Sequence, residues 1–263
     1  MKRYLALTKG AFFAIITYRF GFFFTFIGNL VYMVLVYFLW RAIYEGNETI
    51  RGLTFDQTLV YLALASSIFV LFKTWTEWSM ARMINDGSIA TELIKPIDYQ
   101  VCMLFRTAGF VLVNLVVITL PSVLVLFLVF GVRIETGIGL AFAPVALLLA
   151  FLISFTFDYI VGTSGFYTES TWGISMTKEI ITTLLSGALV PLQFFPEGIR
   201  RVLELLPFQA IYHVPLTLVT SPDLALADCW RLLATQVFWV IALFIISRVF
   251  FGRALRVLTV SGG

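Results

Sequence analysis

The chain has 263 residues, of which 60% are hydrophobic and only 13% charged, and its net charge is +3. A soluble domain carries charge on about a quarter of its residues, so this composition excludes an ordinary soluble enzyme and, with no basic cluster interleaved with aromatics, a nucleic-acid binder. It defines an integral membrane protein with almost no room for a soluble domain.

Residues 1–19 set Leu5, Phe12, Ile15 and Ile16 against Lys2, Arg3, Lys9 and Arg19, the pattern of an amphipathic helix lying in the membrane interface. The first span is 21–40, with Tyr32, Tyr37 and Trp40 towards its outer half as an aromatic belt. A polar loop over 45–56 leads to the second span, 57–80, which is apolar to Phe72 and then emerges into the headgroup layer. Lys73 and Glu77 stand four apart there, which predicts an ion pair on one helix face. Within 84–100, Asn85-Asp86-Gly87 is a turn, Ser88 caps a short helix over 89–94, and Pro96 ends it. The third span is 101–130, with Arg106 near its inner end and Pro121 as a kink. After a tight outer loop at 131–136 come the fourth span, 137–167, and the fifth, 173–190, with Lys178 and Glu179 about one turn inside. The sixth span is 230–250, followed by a short tail. No signal-peptide cleavage pattern follows the first apolar run, and no internal repeat is found.

Lysines and arginines set the orientation. With the N-terminus inside, the inner face receives Lys2, Arg3, Lys9, Arg19, Lys73, Arg82, Lys95, Arg106, Lys178, Arg248, Arg253 and Arg256. The outer face receives Arg41, Arg51, Arg133, Arg200, Arg201 and Arg231. The positive-inside rule therefore places both termini in the cytoplasm. It also puts Cys102 and Cys229 at opposite faces, where no disulfide joins them.

Four of the eight prolines (Pro191, Pro196, Pro207 and Pro215) fall between the fifth and sixth spans. They cut 191–220 into pieces too short to span and too apolar for a solvated loop. Two readings remain open: a re-entrant hairpin sealing the outer end of a transport path, or a surface helix that caps the bundle. Pro196 suits the start of a helix whose polar side carries the pairs Glu197–Arg201 and Arg200–Glu204. The inner helix at 88–95 is a solvated connector or a docking element for a cytoplasmic partner. Glu92, Lys95 and Asp98 charge its ends, and Ile89, Leu93 and Ile94 lie between.

Asp158, Lys178 and Glu179 are candidates for a pathway or coupling role, because intramembrane charges are costly and often functional. Their alternative is solvation or snorkelling at the inner headgroups. Asn29 and Asn114 suit helix–helix hydrogen bonds. His213 is a pH sensor or a structural hydrogen-bonder. Gly162, Gly165 and Gly173 permit close helix approach or bending. No GxxxxGK[ST], HExxH or GxSxG occurs, and one histidine cannot found a metal cluster, so there are no candidate catalytic or metal-ligating residues.

Six spans with both termini inside, GSIATELIKPI after the second span, and SGALVPLQFFPEGIRRVLELLPFQ after the fifth together resemble the permease subunit of ABC-2 type transporters. The resemblance covers essentially the whole chain as a single transmembrane domain, 1–263. It implies an all-α membrane fold of six transmembrane helices, with an N-terminal interfacial helix, a short cytoplasmic coupling helix and a re-entrant helical hairpin between spans five and six. ATPase coupling then falls on Gly87, Ser88, Thr91, Glu92, Leu93, Lys95 and Pro96. The outer gate falls on Pro191, Phe194, Phe195, Pro196, Pro207, Phe208, His213 and Pro215. The implied partners are an ABC ATPase dimer, which carries the ATP and Mg, and a second permease, unlike or identical. Membrane lipid is the surroundings, no nucleic acid is involved, and the location is the bacterial inner membrane. The chain itself holds no cofactor. The function expected is the transmembrane half of an ATP-driven exporter. Its alternatives are a non-transporting assembly or immunity protein on the same scaffold, and an intramembrane lipid-modifying enzyme.

Overall fold

The computed structural model describes residues 2–16, 19–130 and 136–257. The expected outer loop at 131–136 and the extreme tail fall almost wholly outside the described residues. Helix α1 (Lys2–Ile16) precedes α2 (Arg19–Ile43), the first long apolar helix. A tiny hairpin follows, β1 (Thr49–Ile50) and β2 (Leu53–Thr54), where a plain loop is expected. Its turn places Arg51 at φ 52° and Gly52 at φ 84°, the two left-handed residues of a tight hairpin turn.

Thr54 begins α3 (Phe55–Phe72) with a capping box. Its hydroxyl accepts from the Gln57 N–H, and the Gln57 side chain accepts from the Thr54 N–H. The second span is expected as one helix over 57–80. Instead α3 stops at Phe72, and α4 (Thr76–Asn85) starts after a break at residues 73–75. Trp75 sits at the break with φ 55°, a strained conformation for a bulky residue. α5 (Ile89–Leu93) is the short inner helix. α6 (Tyr99–Asn114) starts on an Asp98 cap, whose Oδ1 accepts from the Val101 N–H. It runs through a π-helical stretch, Leu115–Thr119, into α7 (Leu120–Phe130). The wide turn lies just before Pro121, whose missing N–H cannot continue the normal ladder.

α8 (Gly139–Thr163) matches the fourth span closely. α9 (Trp172–Leu185) has 14 residues. At 1.5 Å per residue it is about 21 Å long, short of a hydrocarbon core of about 30 Å. Past Leu185 the chain breaks up into a 3-10 turn at Leu192–Phe194, α10 (Glu197–Leu203), a second 3-10 turn at Pro207–Ala210, and α11 (His213–Thr220). α12 (Leu226–Ala254) closes the bundle and is longer than the expected 230–250. Among the described residues, five helical segments are long and apolar enough to cross a membrane: 20–43, 55–85, 99–128, 139–166 and 226–257. The chain is an all-α, multi-pass membrane protein.

Packing orders these helices. α8 and α12 run parallel: Phe142 meets Trp230 at 5.2 Å between ring centroids, and Tyr159 meets Phe251 at 5.3 Å. Between these levels, Gln236 Nε2 donates to the carbonyls of Ala146 (3.0 Å) and Ala210 (2.8 Å), so one buried amide joins α8, α12 and the turn before α11. Gly162 and Gly165 let α4 lie close on α8. A Cβ at Gly162 would stand 2.9 Å from Met80 Sδ, and one at Gly165 would stand 3.3 Å from Ala81 Cα. Gly173 meets nothing. Asn29 donates to Ser122 Oγ at 3.0 Å, tying α2 to α7 as the apolar surroundings of both helices suggest.

The N-terminal helix is docked rather than loosely laid down. Thr8 Oγ1 donates to the Phe105 carbonyl at 2.8 Å, and Tyr4 stacks on Phe105 at 5.4 Å. Gly109 on α6 makes room for it: a Cβ there would lie 2.6 Å from the Thr8 carbonyl oxygen. Gly109→Ala is therefore expected to lower stability by about 1–3 kcal/mol through overpacking. Gly28→Ala, whose Cβ meets nothing within 4 Å, serves as the control and should leave stability unchanged or slightly raised. Thermal unfolding of the two variants in detergent measures the difference.

Candidate functional site

The break between α3 and α4 exposes backbone that lipid could not tolerate. The last carbonyls of α3 lose their helical partners there. Asn114 supplies substitutes, its Nδ2 donating to the carbonyls of Val70 at 3.0 Å and Leu71 at 3.3 Å. The hydroxyls of Thr74 and Thr76 are hydrogen-bonded to each other at 3.0 Å. Thr76 also meets Thr107 Oγ1 at 2.8 Å, and Thr74 Oγ1 donates to Asp158 Oδ2 at 3.3 Å.

Five charged side chains converge on this break. Lys73 pairs with Glu179, not with Glu77. The expected i,i+4 pair fails because the helix is interrupted between the two residues. Glu77 turns to Lys178 instead, with Oε1 3.1 Å from Nζ, and Asp158 Oδ1 lies 2.5 Å from the same ammonium. Lys178 thus holds carboxylates from α4 and α8 against α9. Glu77 and Asp158 are 6% and 5% exposed, and both lysines are held in ion pairs. Asp158, Lys178 and Glu179, the three pathway candidates, all line this one cleft. Lys73, Thr74 and Glu77 complete the set, and the only sign of them in the sequence is a lysine and a glutamate at the end of an apolar run.

The charges line a narrow cleft with about 50 Å³ of open space. Its walls come from Phe69 and Phe72 on α3, Phe157 on α8 and Thr182 on α9. Its far side is Ile211 and Tyr212, from the turn before α11. The proline-rich segment therefore reaches this cleft. Phe208 stacks on Phe157 at 5.3 Å, and Phe194 packs on Trp40 at 5.2 Å near the opposite end of the bundle. From residue 209 to 218 every side chain is buried. His213 is among them, its Nδ1 3.3 Å from Thr217 Oγ1, a structural contact within α11. Pro191 and Pro215 are buried, Phe194, Phe195, Pro207 and Phe208 are half-buried, and Pro196 is exposed. On α10, Ile199, Val202 and Leu205 point outwards beside Glu197 and Arg201, which pair as the spacing predicts, as do Arg200 and Glu204 at 2.9 Å.

At the inner helix, Ile89 is fully buried and Leu93 packs on the same core. Ser88 makes no side-chain cap bond; Asp86 Oδ1 accepts from the Ser88 N–H at 2.9 Å instead, and Gly87 takes φ 75°. Glu92 is held by Lys95 at 2.7 Å and by Arg106 of α6 at 3.0 Å. Burial would raise the Glu92 carboxyl, but Lys95 and Arg106 outweigh it and hold the group below the usual glutamate value. Their stabilisation is complete above about pH 4.3 and is lost only as pH falls through the lower folded value. The anchor is therefore intact at neutral pH. Gly87, Ser88, Thr91, Ile94, Lys95 and Pro96 face outwards, and Ile94 is 83% exposed. Cys102 and Cys229 are free and buried.

An all-α bundle of long apolar helices, with a charged cleft at a helix break, defines a polytopic membrane protein. The family of ABC-2 family transporter proteins matches residues 30–262, and the chain belongs to that family. Among curated proteins no relative matches.

The two lysines predict unequal losses. Lys178→Met leaves Glu77 and Asp158 buried without a counter-charge and should cost about 3–5 kcal/mol. Lys73→Met disturbs a pair whose side chains are each 29% exposed, and should cost no more than about 1 kcal/mol. Comparing the thermal unfolding of the two variants in detergent checks the order.

Proposed function

We propose that the chain is the transmembrane permease subunit of an ATP-binding cassette exporter in a bacterial inner membrane. It works with a separate ATPase dimer, which binds ATP and Mg, and with a second permease of unlike or identical sequence. The observation that carries this reading is the inner helix α5. It is fastened to its own bundle on one side, through Ile89 and the Glu92–Arg106 pair, and presents an unpartnered outer side topped by Ile94. A rigid, small, mixed apolar and charged projection is suited to a cleft on a moving cytoplasmic partner. ATP-driven closure of that partner would push α5, and with it α4 and α6.

Six crossings fit the packing. α8 and α12 run parallel, so the chain between them has to return across the bundle. α9 makes most of that return and the irregular 186–196 stretch completes it. Both termini then lie on the cytoplasmic face, in agreement with the lysine and arginine count. On this reading 191–220 is a re-entrant hairpin entered from outside. α10 descends, the turn at 207–212 reaches the charged cleft, and α11 returns along α8. A single bundle encloses no wide path, so the path forms against the second permease. The outward face of α10 is the natural gate surface.

Ile94→Asp should leave insertion and stability intact and lose the ATPase subunit on purification, whereas Leu93→Asp should damage the bundle itself. Unchanged co-purification of Ile94→Asp rules out docking through α5. For the gate, a disulfide formed between a cysteine at Val202 and its counterpart in the second permease should stop transport, with recovery on reduction. Undiminished export while crosslinked removes the gate assignment.

A further inference from the structure

The cleft at the helix break contains an imbalance. Glu77, Asp158 and Glu179 face Lys73 and Lys178, so three carboxylates are matched by two ammonium groups. The shortfall is localised. Glu77 is 6% exposed, and its Oε2 has no hydrogen-bond partner. Across the same cleft, Thr182 Oγ1 is also buried and unpartnered. Buried polar atoms left this way cost free energy unless something binds them. Three acidic side chains against two basic ones disfavour an anion as the occupant.

We propose that the cleft binds the ammonium head of an amphiphile, with Glu77 Oε2 and Thr182 Oγ1 as its acceptors. The open space of about 50 Å³ holds an ammonium head and little else, and Phe157 and Ile211 offer an apolar wall on which the rest of the molecule can lie. The Lys73–Glu179 pair, with both side chains 29% exposed, forms the mouth. The Asp158–Lys178–Glu77 set, far more buried, forms the floor. Ile211 and Tyr212 close the cleft from the hairpin side, so occupancy is felt by the segment that would form the gate. Calling this ligand a transported substrate rests on the exporter reading; the binding site itself rests on the cleft alone.

The test uses the full-length chain in phosphatidylcholine nanodiscs with radiolabelled hexylammonium as the probe. Saturable binding is expected, with no competition from hexanol or hexanoate. Glu77→Gln should weaken it by about tenfold or more, the scale of one lost charge-assisted hydrogen bond. Thr182→Val leaves every ion pair in place, so its weaker binding reports the cleft even if Glu77→Gln fails to fold. Equal affinity in wild type and Thr182→Val overturns the proposal. So does effective competition by hexanoate, or Glu77-dependent binding of sodium with none of hexylammonium. If the ATPase complex forms but hexylammonium does not bind, only the site falls. If hexylammonium binds and no ATPase associates, only the exporter reading falls.

Discussion

The interruption of the second long helix at Lys73–Trp75 is the constraint on which the packing of α3, α4, α8 and α9 depends. A break in a membrane helix frees carbonyls and, here, also brings charge into an apolar layer. Both liabilities are met by residues from other elements. Asn114 caps the open end of α3, and Lys178 neutralises carboxylates from α4 and α8. Because the partners come from α6, α8 and α9, the break can exist only in the assembled bundle. It also makes α4 a separate rigid piece, joined to α3 by three residues and held by hydrogen bonds and ion pairs. Such contacts can be exchanged in a conformational change more readily than a continuous helix can be bent.

The helices that follow α4 extend this arrangement. α4 leads into α5, which Glu92 ties to Arg106, and α6 in turn holds α1 through Phe105 and Gly109. Nearby, Asp98 at the start of α6 pairs with Arg248 of α12 at 2.5 Å, and Gln100 donates to Ser247 at 2.8 Å. Short polar contacts thus tie α5 to α6, and α6 to α1 and α12. The charged cleft lies on the other end of α4, and the turn before α11 lies across that cleft. The proline-punctuated segment and α5, separated by nearly a hundred residues, are in this way joined through one helix and one set of charges.

Much of this was readable from residue order. The apolar runs mark the long helices, Pro96 marks the end of the inner helix, and the i,i+4 charge pairs of α10 form as their spacing predicts. Asn29 and Asn114 bond between helices, as isolated amides in apolar runs should. What misled was continuity. Lys73 and Glu77 look like neighbours on one helix because nothing in KTWTE, neither proline nor glycine, announces a break. Trp75 adopts a left-handed conformation that local preference disfavours. On α5, the sequence does not show that Glu92 and Leu93 are half-buried against the bundle while Ile94 is exposed.

Composition and spacing determined the class of this protein by themselves. A chain this apolar must place its helices in a bilayer, and the bilayer fixes their length. The cationic residues weight one face, and prolines exclude regular helix wherever they cluster. Those are one-dimensional properties, set by transfer free energy and backbone geometry. Tertiary structure alone decided which charges meet, where α3 breaks, and that the proline-rich segment carries its turn down to Asp158 and Lys178. Those outcomes depend on groups distant in sequence satisfying one another's hydrogen bonds and charges, because a buried polar atom is indifferent to where in the chain its partner lies.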